Sequence, residues 1–99
     1  AFTNGSYYFI AMSVDSSDNY VGYLGDSTST TVISGTGPGR SASTRALSVG
    51  DVHYNQAAFS TTPKIAEAIF FDTAKTESEL DAIYARSVTR MSARNITVQ

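Results

Sequence analysis

Residues 7–15, Tyr-Tyr-Phe-Ile-Ala-Met-Ser-Val-Asp, read as a strand whose side chains alternate between two faces. Successive side chains of an extended chain point to opposite faces, so Tyr8, Ile10, Met12 and Val14 share one face and Tyr7, Phe9, Ala11 and Ser13 the other. The alternation returns more weakly from Asn19 to about Asp26, with Tyr20 and Leu24 opposite Val21 and Tyr23. Between these runs, Asp15-Ser-Ser-Asp-Asn19 supplies side chains that hydrogen-bond their own backbone and tolerate turn conformations, which predicts a β-hairpin. Gly22 and Gly25 interrupt the second run and predict bulges or the close approach of another backbone. A β-branched run at 30–34 predicts a third strand, and Gly35-Thr-Gly-Pro-Gly39 after it predicts a loop. Short strands are expected at 46–49, 52–54 and 57–59, separated by the Gly50-Asp51 turn and closed by Ser60-Thr-Thr-Pro63.

The last third carries the strongest local signals. Residues 64–72 read as a strand with Ile65, Ile69 and Phe71 on one face and Ala66, Ala68 and Phe70 on the other, which predicts burial on both sides. Thr76-Glu-Ser-Glu79 is a capping box, because the Thr76 oxygen can accept from the Glu79 amide while the Glu79 carboxylate reaches back. Acidic residues at 77, 79 and 81 suit the positive end of a helix dipole, and Arg86, Arg90 and Arg94 suit the other end. Leu80, Ile83, Tyr84, Ser87, Val88 and Met91 recur with helical spacing, so a helix over 76–94 should bury that stripe.

Composition bounds what such a chain can be. Ninety-nine residues make one domain, with residues 1–6 as a leader, 7–73 as strands and 76–94 as the helix. A chain of this size buries about two-thirds of its unfolded surface, enough for one modest core. A net charge of -2 creates no field that would gather nucleic acid or anionic lipid. No apolar run reaches the roughly 18 residues of a membrane span, and no basic-then-apolar signal peptide opens the chain. Cysteine is absent, which points to folding in a reducing cytosol or to stabilisation by partner subunits rather than to a disulfide-stapled secreted domain.

The run KIAEAIFFDTAKTESELDAIYARS resembles the segment that closes concanavalin A-like (laminin-G-like) jelly-roll domains. Ile65, Glu67, Ile69, Phe70, Phe71, Asp72, Thr76 and Glu79 stand at the positions of that closing motif, while Pro63-Lys64 replaces a common Gly and Lys75 a usual Leu. The resemblance implies an all-β, antiparallel, jelly-roll-like sandwich of about six or seven strands with one C-terminal helix. Such a domain has about twice the strands visible here, so the chain is a minimal sandwich, a fragment, or a half completed by neighbouring subunits. The Tyr, Ser, Thr and Gly-rich texture and the ending DTAKTESELDAIYARSVTRMSARNITV also resemble C-terminal modules of bacteriophage tail fibres and tailspikes. That likeness implies a homotrimer on a virion or outside the cell, binding bacterial surface polysaccharide or driving fibre assembly.

Candidate chemistry is sparse. Glu67 and Asp72 would point to opposite faces of a continuous strand, whereas retaining glycosidases hold their carboxyls about 5–5.5 Å apart. His53 is the only histidine and sits in no nucleophile motif, so no enzyme is expected. Asp15, Asp18 and Asn19, with Asp26, offer hard oxygen ligands for calcium, although a solvated turn explains them without a metal and the full calcium-loop pattern is missing. No other cofactor is implied. Sugar binding needs an aromatic platform beside fixed polar groups, which nominates Tyr20 and Tyr23 beside the hairpin and the cluster His53, Tyr54, Asn55 and Gln56. The arginine stripe suits an anionic sugar or a partner subunit, or is a solvated helix face. Asn4-Gly-Ser6 and Asn95-Ile-Thr97 match the glycosylation pattern. The leading expectation is a glycan-binding fibre module. The alternatives are a trimerisation module with Phe9, Phe70 and Tyr84 at a three-fold interface, or a non-catalytic accessory piece of a glycosidase.

Overall fold

The computed structural model describes residues 3, 5–27, 30–39 and 64–99. The chain divides into two compact units, Ala1–Arg40 with Phe71–Gln99, and Ser41–Phe70. The first holds the regular elements described: β1 (Phe9–Val14), β2 (Asn19–Gly25), β3 (Thr31–Thr36) and the helix α1 (Glu77–Ser92). The predicted strands at 46–49, 52–54 and 57–59 lie outside the described residues.

The three strands form an antiparallel sheet in the order β1-β2-β3, with Phe9 opposite Gly25, Ala11 opposite Tyr23, and Tyr23 opposite Val32. The predicted hairpin is present. The Asp15 carboxylate accepts from the Ser17 and Asn19 amides at 2.8 and 3.0 Å and from the Asn19 side chain at 2.9 Å. Asp18 takes the left-handed conformation at φ 63°, which a short polar side chain tolerates. The third strand runs through Gly35 and Thr36, into the tract expected to be loop. Thr36 is held there by its hydroxyl, which donates to Asn19 Oδ1 at 2.9 Å, and the Gly37 amide donates to the Asp18 carbonyl at 2.8 Å. Neither Gly22 nor Gly25 makes a bulge; the register is unbroken across both. Side chains, rather than another backbone, take the space they leave.

The helix forms where its caps place it. Thr76 Oγ1 accepts from the Glu79 amide at 3.3 Å and Glu79 Oε2 accepts from the Thr76 amide at 2.8 Å, so both halves of the capping box are made. That backbone bond from Thr76 holds the Glu79 carboxyl below its ordinary pKa. At the other end, bonds from the Ile96 amide to the Met91 carbonyl and from Asn95 to Ser92, with Asn95 at φ 60°, make a Schellman wrap. The expected stripe is the buried one: Leu80, Ile83, Ser87 and Met91 are buried, with Tyr84 and Val88 half-buried. Leu80 and Ile83 pack with Tyr23, and Phe9, Ala11, Val21, Val32 and Tyr84 close around them.

Residues 64–72 correct the reading of the sequence. They form no strand, and Ile65, Ile69, Phe70 and Phe71 are exposed rather than doubly buried. Alternation records what an extended segment would bury if covered, but a strand exists only through a ladder, and no described residue pairs with this segment. The fold among the described residues is therefore an antiparallel three-stranded sheet backed by one C-terminal helix.

Gly25 decides how closely the helix approaches. A Cβ there would stand 2.7 Å from Tyr84 ring carbons. Gly25→Ala should therefore push the ring off the sheet and cost about 1–3 kcal/mol, read from urea unfolding. Tyr84→Leu in the same chain should cost less than it does beside Gly25; strict additivity of the two would show that the contact does not set the spacing.

Candidate functional site

The pleat of the sheet separates two surfaces with different fates. The inner face carries Phe9, Ala11 and Ser13 with Val21, Tyr23 and Val32, and the helix covers it. The outer face carries Ile10, Met12 and Val14 with Tyr20, Leu24 and Ile33. On it Ile10 is 69% exposed, Met12 78% and Ile33 64%. Both faces of β1 are apolar in the sequence, and the one helix among the described residues covers only the inner one. The remaining face is the chief exposed apolar surface of the sheet, and patches of this kind mark interaction surfaces.

The outer face is also smooth. Gly22 and Gly35 leave hollows in it, and neighbouring strands fill them: a Cβ at Gly22 would sit 2.8 Å from Ile33 Cγ1, and one at Gly35 would sit 2.6 Å from the Tyr20 hydroxyl. Cross-strand cover of glycine fixes the register and levels the surface. No Asp, Glu, Lys or Arg falls among the outward positions of the three strands.

The residues nominated for sugar binding are not brought together. Tyr23 is 3% exposed, in the core, and its hydroxyl donates to Asp81 Oδ1 at 2.7 Å, so it offers no ring face to a ligand. Tyr20 lies on the opposite face of the same strand, half-buried over Gly35. His53, Tyr54, Asn55 and Gln56 lie outside the described residues. Phe9 and Tyr84, expected at a three-fold interface, instead pack on each other with ring centroids 5.4 Å apart and close the core.

At the hairpin tip, Asp15 directs its carboxylate at three N–H donors. This surrounds it with positive hydrogens and gives it a turn-building task. Among the described residues no three His, Cys, Asp or Glu side chains gather as a ligand set. Arg86 and Arg90 are exposed along the helix, and Arg94 is exposed in the turn just past its end. The opposite-face argument against a carboxylate pair at Glu67 and Asp72 required a continuous strand, and residues 64–72 form none. No helix among the described residues is long and apolar enough to cross a membrane.

Three polar contacts that carry no sequence motif fix the site's support. The Lys75 amide donates to the buried Ser13 hydroxyl at 2.6 Å, tying the helix start to β1. The Gln99 amide donates to the Tyr7 carbonyl at 2.9 Å, and the Tyr84 hydroxyl donates to the Gln99 carbonyl, tying the end of the chain to the start of the sheet. Comparison with protein-family models, curated proteins and solved structures gave no match to this chain.

Burial, then the bond and charge of Asp81, pushes the Tyr23 hydroxyl well above its ordinary pKa of 10.0. The folded state thus holds this proton at a pH where the unfolded chain loses it, so stability must fall as pH rises above the unfolded tyrosine value. Tyr84, raised by burial and by Asp26, adds to the same fall. Tyr23→Phe should cost about 1 kcal/mol near neutral pH and flatten the alkaline slope, measured by urea unfolding between pH 8 and 11. An unchanged slope in that variant would show that the Tyr23 proton is not linked to folding.

Proposed function

We propose that the chain is a non-enzymatic assembly module, a helix-backed sheet whose outer face is completed by a second β-layer. The carrying observation is the exposure of Ile10, Met12 and Ile33 on a face without charge. A soluble sheet that works alone alternates apolar-in and polar-out, and this one is apolar on both sides. The completed form is an antiparallel, jelly-roll-like sandwich of about six or seven strands. The resemblance to C-terminal modules of phage fibres supplies the setting: a homo-oligomeric fibre on a virion, in which such a module joins and caps the chains.

Glycan recognition is the second reading, and Tyr20 favours it. Its ring lies on the outer face, half-buried over Gly35, and it is the one aromatic side chain among the outward positions of the three strands. Neither reading calls on a metal, and neither calls on Glu67 or Asp72 as a catalytic pair.

The two readings separate in solution. For assembly, sedimentation and chemical cross-linking of the chain should show self-association that the triple variant I10K/M12K/I33K abolishes. Its thermal unfolding should stay close to that of the parent, since surface substitutions usually change stability by about 0.5 kcal/mol or less. Association that survives all three lysines removes the outer face from the mechanism. Saturable binding of a bacterial polysaccharide that Tyr20→Ala abolishes would instead establish glycan recognition.

A further inference from the structure

We infer that the open edge of β1 pairs antiparallel with β1 of a second copy, so that one sheet runs through both molecules. The inference stands on the backbone of β1 and is independent of what covers the outer face.

In an antiparallel ladder, facing residues alternate between pairs that exchange both main-chain bonds and pairs that exchange none. The Asp15 amide donates to the Asn19 carbonyl at 2.9 Å, which fixes the phase of that alternation. Phe9, Ala11 and Ser13 therefore direct their N–H and C=O groups at β2, whereas Ile10, Met12 and Val14 turn theirs away from it. Among the described residues no strand lies on that side of β1 alongside residues 10–14. An unpaired row of this kind is a template for an extended strand, and natural sheets guard it with charge, proline or a bulge. From Tyr7 to Val14 there is no charged residue, proline or glycine, and the register with β2 is unbroken. The far edge is different, because β3 carries Gly35 in its length and Pro38 just past its end.

A second copy supplies a strand that fits. With a two-fold axis through Met12 and normal to the sheet, Met12 faces its own counterpart and Ile10 faces the partner's Val14. These are the positions whose main-chain groups turn outward, so the pairing makes about six main-chain hydrogen bonds. On the outer face it sets the β-branched side chains of Ile10 and the partner's Val14 together as a cross-strand pair. On the inner face it sets Ala11 beside the partner's Ser13, two small residues that leave room for the helices. No charge within the strand meets its own copy. The helix packs on Tyr23 of β2, and the two β2 strands would stand about 14 Å apart, three strand spacings. A helix with its side chains is about 10–12 Å across, so the two helices lie side by side without collision.

Hydrogen exchange followed by NMR between about 20 μM and 1 mM chain reads the phase directly. The amides of Ile10, Met12 and Val14 should gain about threefold protection or more at the upper concentration. Those of Phe9, Ala11 and Ser13, already bonded to β2, should change little. Met12→Pro removes an outward N–H at an edge position that tolerates proline. It should return the chain to monomer in sedimentation equilibrium while circular dichroism shows the helix retained. Should that variant not fold, cysteines give a second reading in a chain that has none of its own. Ile10→Cys mixed with Val14→Cys should cross-link on oxidation, and Ile10→Cys alone should not, because its two copies would lie about 14 Å apart. Protection that ignores the odd-even phase, or a dimer that persists in folded Met12→Pro, would overturn the edge pairing. If such a dimer is lost in I10K/M12K/I33K, the outer-face reading stands without it. A parent that stays monomeric up to 1 mM would overturn both.

Discussion

The structure depends on one side chain, Tyr23, set at the middle of the central strand and held at its far end by the helix. Its ring meets Phe9 edge-on at 5.9 Å and Tyr84 at 6.2 Å, and its hydroxyl reaches Asp81 at 2.7 Å. One residue thus joins the hydrophobic contact of the two layers to their principal polar link. Aromatic pairs in these geometries add about 0.5–1.5 kcal/mol beyond their area. Replacing the ring would separate the layers and unmake the polar link together. Gly25 belongs to the same arrangement, because only an absent side chain lets Tyr84 lie so close to the strand.

Around that centre the inner face is secured at both ends. Ser13 fixes the approach to the helix through Lys75, and the chain's last residues return to Tyr7. Thr76, Glu79 and Asn95 satisfy the helix ends locally. The outer face receives nothing comparable from the described residues. Among the described residues one face of the sheet is covered and the other is not, and the proposed assembly role rests on that asymmetry.

What the sequence reveals follows from how local each signal is. Thr76 and Glu79 announce the helix because a capping box is complete within four residues, and Asp15 to Asn19 announce the hairpin for the same reason. The alternation in β1 and β2 assigns each residue to its face correctly. Partners are what it leaves out. Nothing in the pattern says that Tyr23 faces a helix and Tyr20 does not, so both stood equally as candidate platforms. The same gap turned residues 64–72 into an expected strand, since alternation describes capacity for burial while a ladder depends on a neighbour far away in sequence. Gly25 was legible as a close approach, but a tyrosine ring 59 residues on has no sequence signature.

An exposed apolar residue in a strand has two possible causes: the strand itself favours it, or something covers it. For Ile10 and Ile33 the strand's own preference contributes, because β-branched residues suit the pleated backbone. Met12 is different. Methionine has no comparable strand preference, and at this position it is the most exposed of the large apolar side chains on the sheet. A threonine there would serve the strand better and spare the apolar exposure. What methionine offers is a flexible, polarisable side chain that adapts to an irregular apolar neighbour. Its presence at the edge of Gly22, in the middle of an uncharged face, is what the proposed second layer would account for.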